Sequence, residues 1–305
     1  MATDLRRSGT PPAAPDKDTG TRRAPRRPRR SRRRRPLAHV ALIGLTVTML
    51  YPLFWMLASS FKPTNEIFSE SGLLPKTWRP DNYSVGWHGV GTSFTIFFEN
   101  SLFISTAAII GNVISCSLAA YAFACLDFRF KRTAFAVMLG TMMLPGHVTL
   151  IPQYILFNHL HWVNTFYPLM VPHFFAVDAF FIFLMVQFIR SLPGELYEAA
   201  RLDGCGPGRI FLHIVLPLLR PALVTTVIFS FIWTYNDFFK QLIYLDNSNL
   251  FTVPLGLRLF LDSTGESAWG PMLAMSTLAL VPALVLFATF QRLIVDGIAT
   301  TGLKG

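Results

Sequence analysis

Residues 193–217 read PGELYEAARLDGCGPGRIFLHIVLP, and they stand between two long apolar runs, near 166–189 and 222–245. The stretch is polar where its flanks are not. Pro193 suits a first helical turn, and Glu195 and Glu198 lie near the positive end of the helix dipole. Ala199, Ala200 and Arg201 favour helix, and Gly204 is placed to end it in a left-handed cap. A second short helix then runs from about Gly208 towards Pro217. The whole connection takes about 30 residues, too many for a simple helical hairpin, which uses roughly 2–8. The expectation is a helix–turn–helix lying at a membrane surface, small-faced through Ala199, Ala200 and Gly204. Such a shape inserts into a groove on a partner protein.

Outward from this loop, apolar runs of bilayer length recur near 37–61, 98–124, 133–157, 166–189, 222–245 and 271–294. The chain has 305 residues, 52% of them hydrophobic and 14% charged, with a mean hydropathy of +0.43. Soluble domains carry about 25% charged residues, so a soluble enzyme, a disordered chain and a collagen-like chain are all excluded. A porin-like barrel is excluded too, because it needs alternating strands rather than continuous apolar runs. No internal repeat is visible. The third run holds Pro145-Gly146 and Pro152, and a proline inside a helix removes a hydrogen bond and kinks or breaks it. That irregularity is either a packed kink or a break lining a pathway.

Charge gives the orientation. Residues 1–36 hold 13 Lys/Arg and 3 acids, while residues 37–305 hold 14 of each. The tail has no apolar periodicity and is expected to be disordered, with its arginines acting as a positive-inside anchor that also meets anionic lipid. If the tail is cytoplasmic, the inside segments carry 22 Lys/Arg and the outside segments four. Six helices with both termini inside is the consistent topology. The three cysteines, Cys116, Cys125 and Cys205, cannot make a disulfide framework and read as packing residues.

The spacing Glu198-Ala199-Ala200, three residues, Gly204, nine residues, Ile214, one residue, Leu216-Pro217 resembles the signature loop of the membrane subunits of binding-protein-dependent ABC importers. Asp203 lies within it. The resemblance covers about residues 37–305 and extends to the maltose-transporter-like carbohydrate permeases. Phe61-Lys62-Pro63-Thr64-Asn65-Glu66-Ile67 with Pro75, Trp78, Asn82 and Tyr83 looks like their first outside loop. Met143-Leu144-Pro145 with Ile151-Pro152, and Asn164-Thr165, are similar as well. The ending, Gln291-Arg292, Gly297 and Gly302 to Gly305, resembles the second of the two permeases of such systems. One departure stands at Tyr235-Asn236-Asp237, where the family commonly has Trp-Asn-Asp and continues apolar, whereas this chain continues to Lys240.

The resemblance implies an all-α integral membrane protein with six transmembrane helices, a type-1 ABC importer permease fold, cytoplasmic termini and a place in the cell membrane. Its implied organisation is a cytoplasmic tail over 1–36, a first span over 37–61 and an external loop over 62–93. A five-helix core over 94–294 follows, with the coupling loop at 191–221, and then a cytoplasmic tail over 295–305. It further implies a second homologous permease subunit, two ATPase subunits and an extracytoplasmic solute-binding protein as partners. The cargo would be a sugar or oligosaccharide. No Gly-x4-Gly-Lys-Ser/Thr loop occurs in the chain. No cofactor is expected on it, and ATP and Mg are expected on the ATPases. In the coupling loop, Glu198 would make the polar contact with the ATPase, Ala199, Ala200 and Gly204 would permit close approach, and Pro217 would fix the exit into the fifth span.

The fifth span carries information of its own. Thr226, Ser230, Thr234, Asp237 and Gln241 share one helical face, and a polar stripe on a membrane helix must face protein or water. It serves either interhelical hydrogen bonding or a permeation path. Trp233, Thr234, Tyr235, Asn236, Asp237 and Gln241 are the candidate path residues, with Trp233 or Tyr235 as stacking platforms for a sugar. Asp178 joins them as an ionisable residue within the fourth run, and Asp237 is placed to neutralise Lys240. Glu99 belongs to an outer edge. His39, His147 and His173 lack metal-ligand spacing, so no metal or nucleophilic centre is expected, and no nucleic acid either. The competing readings are an ABC permease for a non-sugar solute, which should lack the segment from Lys62 to Tyr83, and a membrane scaffold or enzyme, which should show paired carboxylates or histidines at one face.

Overall fold

The computed structural model describes residues 35–69, 72–261 and 267–301, without the side chains of 35–37, 292 and 294–301. The arginine-rich tail up to residue 34 and the last residues, 302–305, lie outside it, and with them the expectation of a disordered tail. The chain divides into two units, 1–50 and 51–305. Among the described residues every regular element is helical. The first unit contributes the start of α1 (Arg35–Ser59), where Thr46 and Thr48 return their hydroxyls to the carbonyls of Leu42 and Gly44. A hydroxyl bonded in this way exposes no unpaired polar group to hydrocarbon.

In the second unit, α2 (Thr64–Ser69) and α3 (Asp81–His88) follow α1. The segment is held by its polar side chains. Asn82 Nδ2 donates at 2.9 Å to the carbonyls of both Ser60 and Lys62, the buried Lys62 ammonium donates to the Gly72 carbonyl, and Ser60 and Tyr83 share a 2.8 Å hydroxyl contact. The residues that carry the resemblance here therefore fold the segment onto itself.

The rod of the unit is α4 (Phe94–Cys125), 32 residues long. At 1.5 Å per residue it exceeds the roughly 30 Å bilayer core. Beside the large Phe94, Phe97, Ile104 and Tyr121, its buried residues are small or weakly polar: Ser101, Ser105, Ala108, Gly111, Asn112, Cys116, Ser117 and Ala120. Small residues let membrane helices approach closely, and α4 packs chiefly on α8 (Ala179–Arg190) and α12 (Arg220–Tyr235).

Three of the expected spans are interrupted. The third is α5 (Lys131–Thr141) and α6 (Gly146–His159), bent by 102° at Pro145. The fourth starts as the single turn α7 (Tyr167–Met170), tightens to a 3-10 turn over Val171–Phe175, and resumes as α8 only after Ala176, a left-handed residue at φ +54. Pro168 and Pro172 deprive this stretch of amide donors. The fifth begins in the loop, with α9 (Glu195–Leu202), α10 (Pro207–Ile210), a π-helical turn over Phe211–Val215 and α11 (Leu216–Leu218). It bends by 75° into α12, stops after Tyr235, and resumes as α13 (Phe239–Tyr244). After α14 (Val253–Arg258) the chain closes with α15 (Trp269–Thr301), so residues 295–301, expected as tail, continue that helix. Among the described residues four helices are long and apolar enough to cross a membrane, or up to six if each bent pair is one span.

Candidate functional site: a surface loop and a cavity between the spans

The loop is built by its caps. Gly204 has φ +77, its N–H donates to the Arg201 carbonyl at 3.0 Å, and the Cys205 N–H donates to the Ala200 carbonyl at 2.9 Å. This 5→2 and 6→1 pair is the Schellman arrangement that ends a helix at glycine. Glu198, Ala199, Asp203 and Gly204 are exposed along α9 and its turn. Ala200 is not: at 6% exposure it is packed into a core with Tyr121, Phe181, Ile189, Ile210, Phe211 and Leu219. Its small size serves packing inside this chain, because it faces the opposite side of α9 from Glu198, whereas Ala199 and Gly204 are exposed. Ile214 and Leu216 pack against the same core, and Pro217 is exposed just before the bend into α12. Leu202, which the sequence did not single out, is 90% exposed at the tip. Tyr197 turns inward with a buried hydroxyl that has no hydrogen-bond partner, and burial, with Cys125 and Tyr121 beside it, pushes its phenol up to about 12.

Where the spans break, they enclose a cavity of about 470 Å³. That lies in the usual range of small-molecule sites, roughly 300–1,000 Å³. Of the candidate path residues, Asp178, Trp233, Thr234, Asp237 and Gln241 line it. Tyr235 and Asn236 do not. Tyr235 is buried in another cluster, stacked on Phe231 at 5.1 Å, and Asn236 is exposed with its amide donating to the Ile232 carbonyl. Both are displaced by helix geometry, since successive residues turn by about 100° and carry Tyr235 away from the face of Ser230 and Thr234.

Asp178 stands at the break before α8, and its Oδ2 lies 2.9 Å from His173 Nδ1. The His173 carbonyl accepts from Ser115 Oγ at 2.7 Å, and Asn112 Nδ2 donates at 2.9 Å to Ser230 Oγ. Asp237 pairs with Lys240 at 3.5 Å and also accepts the Lys240 N–H, capping α13. Each carboxylate of the cavity thus has its own basic partner. Gln241 has both amide ends engaged, donating to the Thr234 carbonyl and accepting from the Thr252 hydroxyl, so it ties α12 to the following loop. The apolar wall is aromatic. Trp233, 47% exposed, stacks on Phe181 at 5.2 Å, and Trp162 stacks on Phe157 at 5.6 Å. The sequence had not placed His173, Trp162 or Gln153 here. The pairing of His173 with Asp178 had a local signal, two ionisable residues five apart directly after Pro172. Glu99 and His147 lie outside the cavity lining. Among the described residues no group of three His, Cys, Asp or Glu side chains is arranged to hold a metal.

Residues 111–300 match the protein family described as "Binding-protein-dependent transport system inner membrane component". A probable ABC transporter permease protein of Bacillus subtilis (strain 168) is 34% identical over 87% of this chain and 87% of its own length. An arabinooligosaccharides transport system permease protein of Halalkalibacterium halodurans is 32% identical over 84% of this chain and 91% of its own. In fold, the chain matches a solved bacterial ABC transporter involved in the import of the acidic polysaccharide alginate, with a TM-score of 0.73 at 20% identity, covering 86% of this chain and 98% of that one.

Proposed function

From the premise that this chain belongs to the family of binding-protein-dependent transport system inner membrane components, we propose that it forms half of the membrane pathway of a carbohydrate importer and meets the solute in the cavity between α4, α6, α8 and α12. It is a multi-pass inner-membrane transporter subunit and not an enzyme. The observation that carries the carbohydrate reading is the cavity wall, which combines two stacked aromatic pairs with carboxylate, amide and hydroxyl groups. Sugars present apolar ring faces to aromatic planes and hydroxyls to fixed acceptors, so this combination suits them. The paired carboxylates leave no unneutralised cation for an acidic sugar, which favours an uncharged oligosaccharide. The name of the Halalkalibacterium relative, a permease for arabinooligosaccharides, supports the same class.

The energy would come from outside the chain. In this reading two ATPase subunits carry ATP and Mg, a second permease completes the pathway, and an extracytoplasmic binding protein delivers the solute. The loop 191–221 docks on one ATPase through Glu198, Ala199, Asp203 and Gly204, with Ile214, Leu216 and Pro217 leading into α12. ATPase closure then moves the spans as bodies between inward- and outward-open states. Leu202 supplies the apolar contact at the tip.

Two measurements test this. Uptake of labelled oligosaccharides by cells carrying the complete transporter should be saturable and ATP-dependent. In Trp233→Ala the KM for the transported sugar should rise about tenfold at unchanged membrane abundance, the loss of one stacking platform. Uptake of amino acids or phosphate instead, or an unchanged KM in Trp233→Ala, refutes the cavity reading. The six-span arrangement with both termini cytoplasmic requires reporter fusions after Arg132 and Arg209 to read cytoplasmic, and those near Asn82 and Asn249 to read external. An external readout at Arg209 removes the loop from the reach of any ATPase.

A further inference from the structure

We propose that Arg201 and Tyr121 form a two-point clamp that locks the loop onto the end of α4, making α4 the bar through which movement of the loop reaches the cavity. The inference rests on the reading of the loop as an ATPase-docking element.

The geometry is reciprocal. Arg201, on the last turn of α9, donates from Nη2 to the carbonyl of Cys125, the last residue of α4, at 3.2 Å. Tyr121, one turn earlier on α4, donates from its hydroxyl to the carbonyl of Pro207, the first residue of α10, at 3.0 Å. One bond therefore runs from the loop to α4 and the other from α4 to the loop, and they attach to the two different helices of the helix–turn–helix. A single attachment would leave the loop free to pivot. Two, on either side of the turn at Gly204, fix its direction as well.

The chemistry suits each end. The last carbonyls of a helix have no intrahelical donor and carry the negative end of its dipole, which a guanidinium satisfies in both respects. The chain leaves α4 in extended conformation at Leu126, so Cys125 ends a helix whose next residue has already turned away. Tyr121 is 6% exposed, its ring 5.3 Å from that of Phe211, so its hydroxyl is aimed by packing. Ala200 and Tyr197 pack in the same core as Tyr121 and Phe211.

At its middle, α4 is bonded into the cavity wall. Asn112 Nδ2 reaches Ser230 Oγ on α12, and Ser115 Oγ reaches the carbonyl of His173 in the broken fourth span. Asn112, Ser230 and His173 all line the cavity. Tyr121 and Asn112 are nine residues apart on one unbroken helix, about 13 Å of rise. A displacement at the clamp is thus delivered to both the α12 wall and the Asp178–His173 wall. Neither Arg201 nor Tyr121 lines the cavity, and both act as positioning residues.

The test uses the complete assembly, this chain with its partner permease and ATPase subunits, in lipid nanodiscs. A reporter cysteine replaces Leu160 on the cavity wall, in a background with the native cysteines changed to alanine, which keeps the Cys125 carbonyl. Its maleimide labelling rate is compared in the absence of nucleotide and after trapping with ATP and vanadate. With the clamp intact, trapping should change the rate by at least about fivefold, the lower end of usual coupling between distant sites. In the Arg201→Ala/Tyr121→Phe double variant, the ATPase subunits should still co-purify and hydrolyse ATP, but trapping should change labelling by less than about twofold. Arg201→Lys, which keeps a cationic donor, should restore a response in the Tyr121-intact chain. A full response in the double variant overturns the proposal, as does failure of Arg201→Lys to recover any. If the double variant does not accumulate, Tyr121→Phe alone, which removes one hydroxyl, must still reduce the response. If the unaltered complex holds no ATPase or shows no response, the docking reading itself falls, and the clamp with it.

Discussion

Gly204→Asp should abolish solute uptake, by at least about tenfold, while leaving the protein in the membrane in normal amounts. The left-handed φ of +77 costs a non-glycine residue roughly 1–2 kcal/mol. The carboxylate would also sit beside Asp203 at the negative end of α9, a further cost of about 0.3–1 kcal/mol. These penalties fall on an exposed turn, so they should not prevent insertion. A Cβ at Gly204 meets nothing within 4 Å in this chain. Any steric block must then come from a partner, and the expected companion result is weaker recovery of the ATPase subunits on purification. Gly204→Asn separates the causes, because it matches aspartate in shape, tolerates the left-handed region and carries no charge. If close approach is what matters, the asparagine variant also loses uptake. If charge is, it stays near normal. Normal uptake in Gly204→Asp would remove the loop from the mechanism.

That loop was legible because its determinants are local. The Schellman turn needs only a glycine after a short helix former, and the residues around Gly204 supply it. Pro145 was legible for the same reason, since a missing donor and a fixed φ act wherever the residue stands. The break at Ala176 was not. Alanine has no preference for φ +54, and the chain is held there by contacts from elsewhere: the Ser115 hydroxyl on the His173 carbonyl, and the His173–Asp178 pair. The stop after Tyr235 is similar, because Asp237 caps α13 and Gln241 bonds back to the Thr234 carbonyl. Tertiary partners decide such breaks, and the sequence shows only that polar residues are present. The facing of α12 was within reach, however. Trp233 lies three residues from Ser230, and Tyr235 four from Phe231, so helical spacing already assigns them to different faces. A stripe of polar residues is a direction: Trp233, one turn from Ser230, stays with it, while Tyr235, on the far side of Thr234, belongs to another wall. Ala200 teaches the same lesson on α9, where of two adjacent alanines Ala199 is exposed and Ala200 faces the core.

The cavity depends on how closely α4 meets the broken fourth span, and Gly111→Val tests that contact. A Cβ at Gly111 would stand 2.9 Å from the His173 carbonyl carbon, 3.0 Å from Phe174 Cδ2 and 3.1 Å from His173 Cβ. The nearest of these atoms is main chain, and it has little room to retreat. The Ser115 hydroxyl holds the His173 carbonyl from α4 itself, one turn further along, and Pro172 stiffens the segment just before. Overpacking of a tight contact usually costs about 1–3 kcal/mol. A β-branched side chain, with two methyls beyond the Cβ, should exceed the lower part of that range. The expected result is a several-fold fall in membrane abundance by immunoblot, a lower thermal unfolding midpoint in detergent, and uptake reduced by more than the loss of protein. The excess follows because pushing His173 away also parts it from Asp178 and leaves that carboxylate without its partner in the cavity wall. Gly140→Ala on α5 is the control, since nothing stands within 4 Å of its Cβ and alanine is the better helix former. It should be neutral or mildly stabilising. If Gly111→Val matched it, α4 and the His173 segment would not be in contact in the working protein, and Ser115 and Asn112 would no longer join one helix to both walls.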